Sequence, residues 1–255
     1  MKESRTLNNK IVLITGGGTG IGRAIAFEFA KRKAFIVINY LKSESEATYT
    51  VRKIKRFGAR AIKICADITK SNEVRMMFEI IDRKFGHLDI LVNNAGWTKF
   101  IDYKDVDSLT EQIYDRIMNV NLKSVFLCST EATERMRNVK DALIINIASI
   151  SAFDGRGSNI AYCAAKAAVV AMTKSFALAF GPNIRVNAIA PGFTDTRFIA
   201  QASKEFLDRE KKLTPLRRIA RPQDIAKVAV SLYEDMKFVN GQTIIVDGGR
   251  LLLGK

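Results

Sequence analysis

The feature that most constrains this 255-residue chain is a glycine-rich turn near its start, Thr15-Gly16-Gly17-Gly18-Thr19-Gly20-Ile21-Gly22. It follows a short apolar run and opens an amphipathic one, so it joins a strand to a helix. Glycines let the main chain take positive φ and come close to a pyrophosphate. The helix that starts there offers unpaired N–H groups and the positive end of its dipole. Such a turn at the head of a βαβ unit points to a dinucleotide.

Beyond the turn, short β-rich runs alternate with longer amphipathic stretches, the pattern of a parallel sheet covered by helices on both faces. The pattern predicts strands at 10–15, 35–39, 60–65, 90–93, 142–148, 185–189 and 243–246. The first helix, 20–33, puts Ile21, Ala24, Ile25, Phe29 and Ala30 on one stripe, and the second runs from about Ser43 to a stop at Gly58. Right-handed crossovers then give an α/β, doubly wound sheet of about seven strands in a single domain over 1–255. The segment 194–215 breaks the alternation. It is long and charged, and is expected to form a mobile cover over a ligand site.

Composition narrows the function classes. With 47% hydrophobic residues and four prolines, the chain suits one sizeable core without a linker. Its start is too polar for a signal-peptide core, and no later run is read as approaching the ~18 apolar residues of a membrane span. Cys65, Cys128 and Cys163 are scattered without CxxC spacing, which disfavours a disulfide framework or zinc site and fits a cytoplasmic location. His87, the sole histidine, reads as a loop residue ahead of the fourth strand, so no metal is expected. The net charge of +15 comes from 41 Lys and Arg against 26 Asp and Glu, with concentrations at Arg52–Arg60 and 204–221. This excess reads as solvated surface, with docking of an anionic substrate or partner as the alternative.

Four further motifs fall in order behind the turn. Asn93-Asn94-Ala95-Gly96 follows the fourth strand, and Asn121 stands in Asn119-Val120-Asn121-Leu122. Ser149 precedes Tyr162 by thirteen residues, and Tyr162-Cys163-Ala164-Ala165-Lys166 reads YxxxK. Pro191-Gly192 is followed by Thr194 and Thr196. With TGxxxGxG at the turn, the chain resembles the short-chain dehydrogenase/reductase family nearly end to end. The resemblance implies a Rossmann-type fold and an NAD(P)-dependent oxidoreductase acting on CH–OH groups. It implies cofactor contacts from Gly16, Gly18, Thr19, Gly20, Ile21, Gly22, Asp67, Ile68, Asn94, Ala95, Gly96, Tyr162, Lys166, Pro191, Gly192, Thr194 and Thr196. Asp67 would bond the adenine amino group, or cap the next helix, or both.

An acidic residue at the end of the second strand accepts bonds from a ribose 2′-hydroxyl and repels a 2′-phosphate. Asn39 stands where NAD-preferring relatives often carry Asp, while Lys42 and Ser43 can meet a phosphate. Thr19 argues the other way, because many NADP-binding relatives carry Arg or Lys there. NADP is favoured over NAD.

Tyr162 and Lys166 lie four apart in a helical run, on one face. A free phenol has a pKa of ~10, and a nearby ammonium with the oxidised nicotinamide would pull it down. Tyr162 can then carry a proton to or from the substrate oxygen. Ser149 ends an apolar strand and can hold that oxygen; Asn121 would anchor a water chain refilling the proton through Lys166. Cys163 reads as packing.

The expected substrate is a small carbonyl or alcohol, with walls from 97–100, 150–159, Phe193 and the cover, including Trp97, Phe153, Asp154, Arg156, Asn159, Arg197, Phe198 and Phe206. Within the family the chain is most similar to 3-oxoacyl-(acyl-carrier-protein) reductases and related sugar dehydrogenases, so a 3-oxoacyl thioester leads and a sugar or polyol follows. Arg135, Arg137 and Lys140 would face an acidic carrier protein, although the shortened segments near Pro182-Asn183 and before Gly241 depart from that group's pattern. A non-catalytic dinucleotide sensor or nucleic-acid-binding protein is the alternative of another class, with nucleic acid and membrane partners not expected. The resemblance implies a homotetramer or homodimer packed through the helix after Asn121 and the helix carrying Tyr162, where Ala164 and its neighbours to Ala171 are small.

Overall fold

Seven apolar runs pair as β1 (Ile11–Ile14), β2 (Phe35–Tyr40), β3 (Ala61–Cys65), β4 (Ile90–Asn93), β5 (Ala142–Ile147), β6 (Ile184–Pro191) and β7 (Thr243–Val246). The structure is a computed structural model that describes residues 7–197 and 203–253. All pairings are parallel, in the order β3-β2-β1-β4-β5-β6-β7. The sheet is buried on both faces, which is why β1, β4 and β5 read as continuous apolar runs. Pleating divides the side chains between two cores. Val12, Ile14, Ile36 and Ile38 pack with Ile25, Phe29 and Ile225, whereas Leu13, Val37 and Leu91 pack with Val74, Phe78 and Phe176.

The helices are α1 (Gly20–Lys31), α2 (Glu44–Arg56), α3 (Ser71–Phe85), α4 (Glu111–Met118), α5 (Ser124–Met136), α6 (Ser151–Asp154), α7 (Ile160–Phe180), α8 (Lys204–Leu213) and α9 (Pro222–Glu234). Observed ends differ from the expected ones by at most two residues, as fraying termini do. Of the predicted stripe on α1, Ala24, Ile25, Phe29 and Ala30 are buried and Ile21 sits at its margin.

α7 corrects one expectation. Its 21 residues, with a mean hydropathy of 1.4, have the length and composition of a membrane span. In the fold it packs Phe176 and Ala177 into the core beside β6 and carries Lys166 inward.

The order of strand addition reverses between β1 and β4, the point at which a doubly wound sheet opens a crevice beyond the carboxyl ends of its strands. That crevice is a cleft of about 910 Å³.

Candidate active site

The glycine turn forms one end of the cleft. Gly16 has φ +62°, and a Cβ there would stand 3.1 Å from Ala95 Cα. At Gly18 a Cβ would meet the Ala47 main-chain nitrogen at 3.1 Å, so α2 seats directly on the turn. Thr19 precedes α1 without a side-chain cap, leaving the first N–H groups of that helix to a ligand. Thr15 and Asn94 latch the turn to β4. The Thr15 hydroxyl accepts from Asn94 N at 3.0 Å and Ala95 N at 3.1 Å, and Asn94 Nδ2 donates to Thr15 O at 2.9 Å. Thr15 was not anticipated; a hydroxyl ending a buried strand was the available signal.

Every anticipated site residue lines the cleft except Gly22. Gly22 is buried in α1, where a Cβ would stand 2.8 Å from Gly16 O, so it permits close packing beneath the turn. Asp67 lies in the loop ahead of α3, whose N-cap is Lys70, so it does not cap that helix. It lines the cleft, and its carboxylate accepts from Thr69 N at 3.0 Å and Thr69 Oγ1 at 2.7 Å ahead of α3.

Asn39 lines the cleft at its edge but turns its amide inward. Nδ2 donates to Ala66 O at 3.0 Å and Oδ1 accepts from Gly16 N at 3.4 Å, with the residue 2% exposed. It shares the inward face with Val37, and the next residue, Tyr40, takes the opposite one. Tyr40, Leu41, Lys42 and Ser43 supply the surface where a 2′-substituent would sit. Glu44, just beyond, is held by Lys63 at 2.6 Å.

At the other end, Ser149, Tyr162 and Lys166 come together, and the Ser149 and Tyr162 hydroxyls are hydrogen-bonded. Asn159 N-caps α7, its Oδ1 accepting from Tyr162 N at 2.8 Å. Lys166 Nζ lies 5.6 Å from the Tyr162 ring centroid and donates to Ile147 O at 2.8 Å. Burial pushes the Lys166 ammonium down to about 8. Burial pushes the Tyr162 phenol up to about 12, against the lowering hydrogen bond from Ser149. In the free protein the phenol therefore stands above its ordinary value, because desolvation outweighs the Ser149 hydrogen bond.

Asn121 sits in a π-helical turn, Asn119–Lys123, between α4 and α5. Its Nδ2 donates to Trp97 O at 2.6 Å and Ile117 O at 2.9 Å, and its Oδ1 accepts from Trp97 N at 3.3 Å. The amide holds the 96–97 main chain against the cleft. Its fit is tight, since a Cβ on Gly96 would come within 3.0 Å of Asn121 Oδ1 and 4.0 Å of Lys166 Nζ.

The cleft walls include Trp97, Thr98, Lys99, Phe100, Ile150, Ser151, Arg156, Phe193, Thr194, Thr196 and Arg197, as anticipated. Phe153, Asp154, Asn159 and Phe206 do not line it. Phe153 is exposed, Asp154 faces Arg156 at 3.6 Å, Asn159 is the cap of α7, and Phe206 packs edge-on to Phe193 at 5.4 Å. Phe198 lies outside the described residues. Arg116 and Val120, unanticipated, complete the wall. The cover meets the turn through Thr196, whose Cγ2 is 3.3 Å from a Cβ built on Gly20.

Four further residues find partners. His87 Nε2 is 3.1 Å from Asp89 Oδ2, and Cys163 Sγ bonds the Tyr103 hydroxyl at 3.4 Å and Gly155 O at 3.3 Å. Arg135 is held by Asp82 at 2.9 Å and Glu131 at 2.6 Å, and Arg137 by Glu134 at 3.1 Å.

A family model described as enoyl-(acyl carrier protein) reductase matches residues 16–250. The chain is 39% identical over 261 residues to the hydroxynaphthalene reductase-like protein Arp2 of Metarhizium robertsii, covering 96% of each. It is 36% identical over 247 residues to the 3-oxoacyl-(acyl-carrier-protein) reductase of Staphylococcus epidermidis, covering 94% of this chain and 98% of that one. Among solved structures, a double mutant of a Serratia marcescens short-chain dehydrogenase/reductase superposes with a TM-score of 0.88 at 31% identity, over 96% of this chain and 98% of that one.

Proposed function

The chain belongs to the short-chain dehydrogenase/reductase family, and on that premise we propose that it reduces a ketone to a secondary alcohol with NADPH, a 3-oxoacyl thioester being the leading substrate. The observation that carries the reading is the meeting of Ser149, Tyr162 and Lys166 in the cleft that the glycine turn opens. The cleft suits a dinucleotide: close approach at Gly16 and Gly18, uncapped N–H groups at Thr19, Gly20 and Ile21, and Asp67 with Ile68 beside the far end. Asn94, Ala95, Gly96, Pro191, Gly192, Thr194 and Thr196 would hold its nicotinamide half, and Lys166 its ribose.

Bound there, the cofactor supplies the hydride. Ser149 holds the substrate oxygen against Tyr162. Tyr162, kept protonated by burial, gives its proton to that oxygen in reduction and takes one back in the reverse direction. Lys166, which donates to Ile147 O, stays close enough to stabilise the phenolate left behind. Asn121 acts as a positioning residue through Trp97 and Gly96. NADP is favoured over NAD because Lys42 and Ser43 border the cleft and the nearest acid, Glu44, is neutralised by Lys63.

The 194–215 segment acts as the cover, within one domain. Three free thiols among the described residues suit the cytoplasm.

A second reading, reduction of a bicyclic aromatic ketone, is favoured by Trp97, Phe100 and Phe193 in the wall and by the name of the fungal relative. A panel of ketones, acyl thioesters and aldoses, followed by absorbance of the reduced nicotinamide, separates these from sugar oxidation. Tyr162→Phe keeps the ring and removes the proton, so turnover should fall at least about 100-fold. Full turnover by that variant would falsify the mechanism. NADPH should exceed NADH in kcat/KM; parity or the reverse refutes the cofactor assignment.

A further inference from the structure

The charge lining the cleft is lopsided. Lys42, Lys99, Arg116, Arg156, Lys166 and Arg197 are cationic, and Asp67, near the adenine end, is the lone carboxylate. At the substrate end, Arg156 has Asp154 at 3.6 Å, but Lys99, Arg116 and Arg197 make no ion pair among the described residues. Elsewhere arginines are neutralised: Arg32 by Glu28 and Glu234, Arg135 by Asp82 and Glu131, Arg218 by Asp224. Unpaired positive charge on low-dielectric walls concentrates anions in a cleft.

Two of these cations stand exposed at the mouth of the cleft, each residue fixed at one point. The Arg116 guanidinium stacks 3.9 Å from the centre of the Trp97 ring, and Trp97 packs in the same apolar cluster as Tyr162. Stacking covers the guanidinium face and leaves its in-plane N–H donors free for a carboxylate or phosphate. Lys99 is tied to the catalytic helix by one side chain. Asn159 Nδ2 donates to Lys99 O at 2.8 Å while its Oδ1 accepts from Tyr162 N at 2.8 Å.

We propose that the substrate is an anionic ketone, its carboxylate or phosphate held by Arg116 and Lys99 at the mouth of the cleft while its carbonyl lies at Ser149 and Tyr162. The proposal rests on the reductase reading and adds the substrate's charge. The anion is either the carboxylate of a free 3-oxo acid or the phosphates of a coenzyme A-type thioester.

The test compares acetoacetate, acetoacetyl-coenzyme A and neutral ethyl acetoacetate with NADPH. One anionic ketone should exceed the ester in kcat/KM by at least about tenfold, as a charge-assisted hydrogen bond requires. Which one does so identifies the anion. Lys99→Gln combined with Arg116→Gln should cut that ratio at least about tenfold, and Arg116→Lys should restore part of it. Equal use of ester and anions, or a ratio that survives the double variant, overturns the proposal while the reductase stands. Trp97 is the single tryptophan, so its emission reports ligand at Arg116 without turnover. If no ketone oxidises NADPH, the reductase reading falls. The anion site then stands only if acetoacetate or acetoacetyl-coenzyme A shifts the emission of the NADP⁺ complex with an affinity that the double variant weakens.

Discussion

Lys166 holds an ammonium where burial disfavours charge, and two pH dependences follow. Its pKa is about 8 in the folded chain, against ~10.4 when unfolded. Between those values the folded state binds fewer protons, so stability rises as pH climbs through that window; the penalty, roughly 3 kcal/mol, is fully present below it. Lys166→Met removes the penalty but strips Ile147 O of its donor, which returns about 1–3 kcal/mol. The variant should therefore unfold at slightly higher denaturant than wild type near neutrality and lose that advantage above pH ~10. Parallel behaviour of the two proteins at both pH values would show that burial of this charge is not the source. In the other direction, kcat/KM for NADPH should decline as pH rises through about 8, where Lys166 loses its charge. Ser149, Tyr162 and Lys166 were legible because their spacing suits one helix face and one strand end. The role of Asn39 was not, because strand parity decides it: its amide bonds Gly16 N and Ala66 O while Tyr40 takes the other face.

Elements were readable where burial imposes a simple pattern. Strands buried on both faces leave near-continuous apolar runs, so β4 falls at the expected residues. The π-turn Asn119–Lys123 left no such mark, since its single extra residue sits inside a helical pattern that continues on either side. The cover is the case where a charged stretch hid one buried ion pair. α8 is anchored by Glu210, 2% exposed, whose Oε2 accepts from Arg250 Nε at 3.0 Å in the turn Arg250–Leu253. The expected mobility of the cover therefore does not extend to this contact. Glu210→Gln leaves the Arg250 charge without its counter-ion and should destabilise the fold by about 3–5 kcal/mol in chemical unfolding. Replacing both residues by Met should recover most of that loss, because a buried pair and a packed apolar pair are near equal in stability. A double variant as unstable as the single one would mean the pair is not what fixes α8.

At the scale of the whole molecule, apolar surface is left over on the helices that carry the site. Leu178 on α7 is 86% exposed and Phe126 on α5 is 49% exposed. Phe126 continues into a ladder with Phe176 at 6.4 Å, which stacks on Phe180 at 5.5 Å. Further along α7, Ala164, Ala167 and Ala171 face outward and are small enough for a second helix to approach closely. A two-fold axis across this face would bury the same patch from both copies, the self-complementary arrangement of most homo-oligomers. Light scattering should therefore give a multiple of the 28.4 kDa chain mass. Phe126→Glu with Leu178→Glu should lower that mass by placing like charges in the contact. A monomeric wild-type protein, or a variant with unchanged mass, would refute this interface. Tyr162 and Lys166 lie on the same helix as Leu178, so the oligomer would also brace the catalytic pair. If it does, the dissociated variant should lose turnover in step with mass, whereas a merely adhesive contact would leave kcat as it was.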